Sequence, residues 1–345
     1  MRPVIAAAVV LVYTVRVVVG ANEERLPERL SATGLYVRGQ VGVVAPENRP
    51  FSPQYPLWSD GAVKSRWVYL PPGATIDATN PNEWQLPVGT RFWKEFAFGG
   101  RRVETRMIWR ASRTRWVFAT YVWNRDGTDA LLAPAEGVPN VAGVSATKQH
   151  SIPSVTDCQA CHGTTRPQPL GFNALQLSPD RDPNAIHGEP PGPHMLTLDT
   201  LLREARLSGA PREAYAKPPR IQTGSAETRA ALGYLFANCG GCHNGRGEIA
   251  ALGPTLRIDA LLNDGDAVAR ELVDQPTRWQ VPGVPDGRSV VIDDDAPEKS
   301  ALLVRMRSRS PSSQMPPLGT VLRDSAAVER LTQWVTRDLA RQSRH

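Results

Sequence analysis

The order of polar and apolar positions divides the chain into a β-rich first half and a helical last third. Residues 91–98 alternate between the two kinds of side chain, as in a half-buried strand, and Gly99-Gly100 follows as a hairpin signal. Segments 103–109 and 116–123 continue the series. We therefore predict an antiparallel β domain over 51–145, as a sandwich or a jelly-roll-like sheet.

Helical spacing dominates from Ser225 onward. Ser225 is a suitable N-cap for a helix that leads into Cys239, and Pro297 opens a second predicted helix that continues to Met306. Asp324 can cap a final helix, in which apolar residues recur at helical spacing. These residues are Val328, Leu331, Val335 and Leu339. The pattern predicts an all-α domain over 225–345.

The segment between these parts is rich in proline and in turn-forming residues. Residues 146–224 contain only two stretches with helical periodicity, 172–177 and 198–207. The fold class that follows is α+β with several domains. It comprises a linker over 21–50, the β domain, a loop-rich segment over 146–224 and the helical domain.

The first twenty residues have the pattern of a secretory signal peptide. Arg2 supplies the positive charge, Val4 to Tyr13 forms the apolar stretch, and cleavage is expected ahead of Ala21. Arg16 interrupts the apolar stretch, so a membrane-spanning helix is not expected in the mature chain. We predict a periplasmic protein. The alternative is an uncleaved N-terminal anchor that leaves the protein facing the periplasm.

The charge of the chain is mildly positive and evenly spread. The 345 residues include 40 Lys and Arg residues and 34 Asp and Glu residues, which gives a formal net charge of +6. Acidic residues are interspersed with the basic ones, so the pattern argues against nucleic-acid binding. A modest positive balance is compatible with docking to acidic redox proteins.

The cysteines carry the strongest chemical signal. There are four, in two Cys-x-x-Cys pairs, and each pair is followed directly by histidine. Two disulfides or a four-cysteine zinc site would use the same cysteines, but neither gives a reason for His162 and His243. We therefore predict two covalently bound haem c groups, one on Cys158 and Cys161 and one on Cys239 and Cys242.

The spacing suits haem attachment for a geometric reason. Two thiols three residues apart lie on one side of a helical turn, where each can add to one vinyl group of the porphyrin. The next residue then brings its imidazole to the iron, so His162 and His243 are the predicted proximal ligands.

The C-terminal part resembles a class I cytochrome c domain. Gly253-Pro254-Thr255-Leu256 follows the second motif, and the loop 313–319 resembles the distal loop of that family. The resemblance implies that the Pro254 carbonyl accepts a hydrogen bond from Nδ1 of His243, and that Met315 is the sixth iron ligand. Met306 competes for this role, but its helical neighbours Leu302 and Leu303 favour a core position.

The whole chain resembles a bacterial family of periplasmic dihaem c-type cytochromes with an N-terminal β domain. The stretches that carry the resemblance are Tyr55 to Gly61, Val103 to Met107, Ile152 to Ser154 and Pro169 to Phe172. The likeness implies electron transfer and a periplasmic location. Glu104 and Arg106 lie within one of these stretches, and their alternate positions favour a surface ion pair.

The sixth ligand of the first haem stays open at this point. His150, His187, His194 and Met195 are the candidates, with His150 ahead of Met195 because Ile152-Pro153 holds it close to the motif. The favoured function is electron transfer between a periplasmic dehydrogenase and a terminal acceptor. The alternative is a dihaem peroxidase-like enzyme with one open-faced haem, and a ligand-binding β domain with haems attached is a third.

Overall fold

The β-rich half of the chain forms one six-stranded antiparallel sheet. The computed structural model describes residues 26–139, 141, 150–162, 169–210, 212–246 and 253–339, so the predicted signal peptide lies outside the described residues. Its strands are β1 Arg49–Pro50, β2 Val63–Tyr69, β4 Arg91–Phe98, β5 Arg101–Arg110, β6 Trp116–Trp123 and β7 Ala130–Leu132. They lie in the order β1-β2-β4-β5-β6-β7 across the sheet. Apart from them, β3 Ile76–Asp77 pairs in parallel with β8 Leu207–Ser208.

The central hairpin forms where the alternation predicts it. Strand β4 covers the predicted range, and β5 extends the predicted strand by two residues at its start and one at its end. Between them Gly99 and Gly100 have φ angles of 54° and 80°. A tight hairpin turn needs this left-handed backbone, which glycine adopts without strain.

Irregular chain, rather than a second sheet, covers both faces of the six-stranded sheet. One face packs Trp93 and Tyr121 against Leu30 and Leu35, which lie in the segment predicted to be a linker. The other face packs its apolar part against a cluster around Phe172. Within the described ranges no second sheet of comparable size is present, so the sandwich or jelly-roll prediction was wrong. The alternation of a strand predicts that one face of the sheet is buried, but it does not predict which part of the chain covers that face.

The helices are short and are concentrated after Ser225. They are α1 Val155–His162, α2 Leu198–Arg203, α3 Ala226–Cys239, α4 Ile258–Leu272, α5 Ala301–Arg307 and α6 Ser325–Trp334, followed by a π-helical turn Val335–Leu339. Both predicted caps are present. The Ser225 side chain accepts a hydrogen bond from the Thr228 N–H, and Asp324 accepts one from the Ala327 N–H.

Three helix predictions differ from the structure. Residues 172–177 form turns, because the Asn173 side chain accepts from the Gln176 N–H and favours a local turn. Helix α2 stops at Arg203, shortly before Ala205 takes a φ of 51°. The predicted helix after Pro297 is a 3₁₀ turn followed by α5. Helix α4 was not predicted.

The helical part does not form a separate all-α domain. Its core includes Leu232, Leu261 and Leu331, but also Tyr55 and Leu175, which precede the predicted helical domain. Isolated β-bridges also join segments near 273–276 to segments near 290–292. The prediction of an independent all-α domain is corrected accordingly. In the residues that the structure describes, no helix has the length and apolar character needed to cross a membrane.

Candidate functional site

The first cysteine pair lies on helix α1, which carries its own cap. The Ser154 hydroxyl accepts a hydrogen bond from the Asp157 N–H, and the Asp157 carboxylate accepts one from the Ser154 N–H. This reciprocal arrangement starts the helix just before Cys158. The His162 ring at the end of α1 lies 5.7 Å from the Phe118 ring of β6, measured between centroids. The helix therefore presents the first motif to the sheet.

The second pair lies where α3 ends in a turn. The His243 N–H donates to the Cys239 carbonyl at 2.8 Å, and the His243 carbonyl accepts from Leu256 at the same distance. Gly253 lies against the imidazole, since a Cβ built on it would be 3.3 Å from Nδ1 of His243. That nitrogen is buried and has no hydrogen-bond partner among the described residues. The expected bond to the Pro254 carbonyl is thus absent, because the backbone of Gly253 itself lies against the ring.

The two motifs are in contact. The Sγ atom of Cys242 lies 3.8 Å from the carbonyl oxygen of Ala160, within the first motif. A Cβ built on Gly241 would lie 3.5 Å from the Cys161 carbonyl oxygen. The thiols of Cys161 and Cys242 also influence each other's pKa, so they share the same surroundings. Two sites separated by 81 residues in sequence (239 − 158) therefore form one continuous centre.

The thiols differ in acidity according to their surroundings. The neighbouring Cys161 thiol lowers the pKa of the Cys242 thiol. Burial raises the pKa of Cys239 to about 12, with a further contribution from Cys242. The pKa of Cys158 is also raised, chiefly by burial, although Arg106 acts in the opposite direction. All four cysteines are free of disulfide bonds and partly buried.

The methionine predicted for the second haem lies in a cleft beside α3. Tyr234, Trp58 and Asp324 line this cleft together with Met315. The Met315 N–H donates to the Arg305 carbonyl, and the Arg305 guanidinium contributes, after burial, to the lowered pKa of His243. Arg305 thus connects the two predicted ligands. Met306 is 5% exposed and belongs to the helical core, as predicted.

His150 is engaged in a buried network beside the first motif. Its Nε2 lies 2.9 Å from Oε1 of Glu104, and its Nδ1 is buried without a partner among the described residues. The Glu104 carboxylate also accepts two hydrogen bonds from Arg106. Glu104 is completely buried, so the expectation of a surface ion pair was wrong. A histidine that holds a carboxylate on one nitrogen and leaves the other free has the arrangement typical of a metal ligand.

The other sixth-ligand candidates have different surroundings. Nε2 of His187 lies 2.9 Å from each carboxylate oxygen of Asp324, at the cleft of the second motif. The Met195 sulfur accepts from the Gly192 N–H within its own loop. His194 lies in the same loop with a φ of 65°. Of the four candidates, His150 is therefore the one placed with its side chain buried beside the first motif.

A segment of the β half reaches the second motif, which the sequence did not reveal. The Trp58 N–H donates to the side chain of Asn238, the residue just before Cys239. The Asp60 carboxylate accepts from the N–H groups of Val321 and Leu322, just beyond the Met315 loop. Residues 55–61 therefore brace the second motif and the chain that follows the Met315 loop.

The residues present fit covalently bound haem. A c-type haem needs two thiols on a turn, an adjacent imidazole and a group that fixes the ring, and both motifs supply the thiols and the imidazole. The buried, unpartnered Nδ1 of His150 is a suitable donor to iron, whereas Nδ1 of His243 lies against Gly253, so His243 would bind iron through its other nitrogen. By contrast, no group of three or more His, Cys, Asp or Glu side chains in the described ranges is arranged to hold a metal ion directly.

Three comparisons with known proteins found no match to this chain, among family models, curated proteins or solved structures.

Proposed function

We propose that this chain is a periplasmic dihaem c-type cytochrome that transfers electrons between redox proteins. Haem c would be attached at Cys158 and Cys161 and at Cys239 and Cys242, with His162 and His243 as proximal ligands. Met315 would be the sixth ligand of the second iron. The partners would be a periplasmic dehydrogenase and a terminal acceptor.

The contact between the two motifs is the observation that carries this proposal. Each haem would be covalently bound to its motif, so the 3.8 Å approach of Cys242 to the Ala160 carbonyl oxygen would bring the two haems close to each other. Electron transfer becomes faster as donor and acceptor come closer. A pair of neighbouring haems serves a carrier that accepts an electron on one side and delivers it on another.

The structure of the ligand loops supports the same function. The Arg305 carbonyl accepts a hydrogen bond from the Met315 N–H, and Asp60 braces the chain beyond the loop. Such bracing keeps the iron's surroundings similar in both oxidation states. A thioether ligand held in this way gives the haem a comparatively high potential.

Haem stoichiometry in two double variants tests the proposal. The mature protein, produced with cytochrome c maturation, should carry two haems that survive a denaturing gel. Cys158→Ala with Cys161→Ala should leave one, and so should Cys239→Ala with Cys242→Ala, so each variant controls the other. A wild-type protein without haem stain that contains one zinc per chain would overturn the proposal.

One observation favours a second candidate, a peroxidase-like enzyme. The buried pair of His150 and Glu104 beside the first motif could exchange protons with a molecule bound at that haem. The two functions differ in whether a sixth ligand closes the first iron, and carbon monoxide binding to the reduced protein distinguishes them.

A further inference from the structure

Three cations lie side by side on one face of the sheet. Arg66 of β2 is directly opposite Lys94 of β4, and Lys94 is directly opposite Arg106 of β5. Opposed residues in an antiparallel pair point to the same face, with Cβ atoms about 5 Å apart. Like charges in such positions destabilise a sheet. These three cations therefore do not stabilise the sheet. We call Arg66, Lys94 and Arg106 the cationic row.

The available carboxylates neutralise only part of the cationic row. Arg66 pairs with Glu189 at 2.8 Å, and Arg106 pairs with Glu104. The ammonium group of Lys94 has no ion pair or hydrogen bond among the described residues, and lies 4.9 Å from the centroid of the Phe96 ring.

The surroundings of Lys94 disfavour an unpaired charge. Burial, followed by the charges of Arg66, Lys64 and Arg106, lowers the pKa of Lys94 well below its usual value, although the charge of Glu104 acts in the opposite direction. Lys64 is affected in the same sense, with a pKa lowered to about 8 by burial and by Arg66. An anion beside Lys94 would relieve both the desolvation and the repulsion.

The cationic row lies at the first haem motif. The charge of Arg106 acts to lower the pKa of both Cys158 and Cys161, so the guanidinium belongs to the surroundings of the first motif. Phe118 of β6, which faces His162, lies on the same side of the sheet, since its partner Ile108 and Arg106 are two residues apart on β5. The unpaired cation and the first motif thus share one surface.

We propose that the cationic row binds a carboxylate, with Lys94 as the central cation. The inference rests on the proposed function, because it takes the propionates of the haem at Cys158 and Cys161 as the first source of that carboxylate. A free small carboxylate from solution is the second source. In both cases Arg66 and Arg106 flank the bound group while Glu189 and Glu104 hold the two guanidinium groups in place.

Replacing Lys94 in the haem-loaded protein tests this binding site. With a propionate as occupant, Lys94→Gln leaves its negative charge uncompensated, which favours ferric iron. The potential of the first haem should fall, while the second haem in the same molecule keeps its potential. Lys94→Arg should preserve the wild-type value. Lys299→Gln, at an exposed position of the C-terminal part, is the control and should change neither haem.

Acetate distinguishes the two sources. A free-carboxylate site predicts a saturable change of the first haem's spectrum with acetate, relative to chloride at equal ionic strength, and this response should be lost in Lys94→Gln. A propionate predicts the potential shift without any acetate response. If Lys94→Gln does not fold, Lys94→Met, of similar length, replaces it. The proposal would be overturned if the folded variant had the same potential of the first haem as the wild type and also the same response to acetate.

The test of the carboxylate site and the test of the proposed function can fail independently. If the purified chain carries no haem, electron transfer is excluded, yet acetate binding to the haem-free chain can still be measured by calorimetry. Binding in the wild type that Lys94→Gln abolishes would then retain the carboxylate site. An absence of binding to the haem-free chain would end both proposals.

Discussion

The Asp60 carboxylate accepts a hydrogen bond from the Leu322 N–H at 2.8 Å, joining the β half to the chain that follows the Met315 loop. Asp60 also accepts from the Val321 N–H, and it holds a left-handed backbone with a φ of 53°. A non-glycine residue in this region is strained, although Asp and Asn tolerate it best. The strain is offset by the two bonds that the carboxylate makes.

We predict that Asp60→Asn loosens the Met315 loop. Asn tolerates the backbone but loses the charge and one acceptor oxygen, so stability should fall by about 1–2 kcal/mol. The potential of the second haem should fall as its thioether ligand is held less firmly. Denaturant unfolding and a redox titration measure the two effects. Asp286→Asn, at an exposed position, should change neither, and an unchanged second haem in Asp60→Asn would contradict the bracing role.

Gly253 is predicted to be essential for the orientation of His243. In Gly253→Ala, the new Cβ would lie 3.2 Å from Cε1 of His243, and the residue would have to hold a φ of 132°. Gly283→Ala is the matched control, because Gly283 also has a positive φ, of 79°, but no atom within 4 Å of a built Cβ. Gly283→Ala should cost about 1–2 kcal/mol through backbone strain, and Gly253→Ala should cost more, because a φ of 132° lies further from the left-handed region that alanine can adopt. Only Gly253→Ala should also alter the spectrum of the second haem, and equal spectra would refute this role.

Methionine ligation is tested by a pair of substitutions on neighbouring segments. Met315→His should keep the second haem but lower its potential substantially, because imidazole favours ferric iron more than a thioether does. Met306→Leu replaces a buried core residue by one of similar volume, so it should cost less than about 1.5 kcal/mol and leave the potential unchanged. Spectroelectrochemical titration measures both potentials. The reverse pattern would make Met306 the ligand.

The parts of the fold that local spacing encodes were predictable. Strand β4 and the caps at Ser225 and Asp324 depend on residues only two to four positions apart, and all three are confirmed. Helix α4 was missed although its buried residues recur at helical spacing. These include Ile258, Leu261, Gly265, Val268 and Leu272. Gly265 obscured this pattern, because glycine is unfavourable within a helix. The helix is also kinked at Asp264, which regular helical spacing does not predict.

The sequence predicted each of the two motifs separately, but not the contact between them. Each Cys-x-x-Cys-His is a local signal, whereas the contact of Cys242 with Ala160 depends on how distant segments pack. The burial of Glu104 could not be foreseen for the same reason. Its alternation with Arg106 is equally compatible with a surface pair, and only the position of His150, 46 residues later, makes it part of a buried network.

The pair of Glu189 and Arg66 should make stability depend on pH. Burial alone would raise the pKa of Glu189, but Arg66 outweighs it, so the pKa lies below its usual value of 4.5. A lowered pKa means that the stabilisation is present above pH 4.5 and is lost as the pH falls through the folded-state pKa. Glu189→Gln should remove this dependence and cost about 1–2 kcal/mol near neutral pH, discounted because its side chain is 32% exposed.

Glu204→Gln is the matched control for that experiment. Glu204 pairs with Arg49, but both side chains are more than a third exposed, so the change should be within about 0.5 kcal/mol. Unfolding at a series of pH values between neutral and acid measures both variants. An equal loss in the two variants, or a pH dependence that persists in Glu189→Gln, would show that the buried pair does not contribute as described.

Carbon monoxide binding distinguishes a carrier from an enzyme at the first haem. His150 is buried, holds Glu104 on one nitrogen and leaves Nδ1 without a partner among the described residues. As sixth ligand it would close the iron, and the reduced wild type should fail to bind carbon monoxide at the first haem and should not turn over peroxide. His150→Ala should open the site, so that one haem per chain binds carbon monoxide. Met195→Leu, in the competing position, should leave the iron closed. Rapid binding at one haem per chain in the wild type would instead favour the peroxidase-like function, in which His150 and Glu104 exchange protons with the bound molecule.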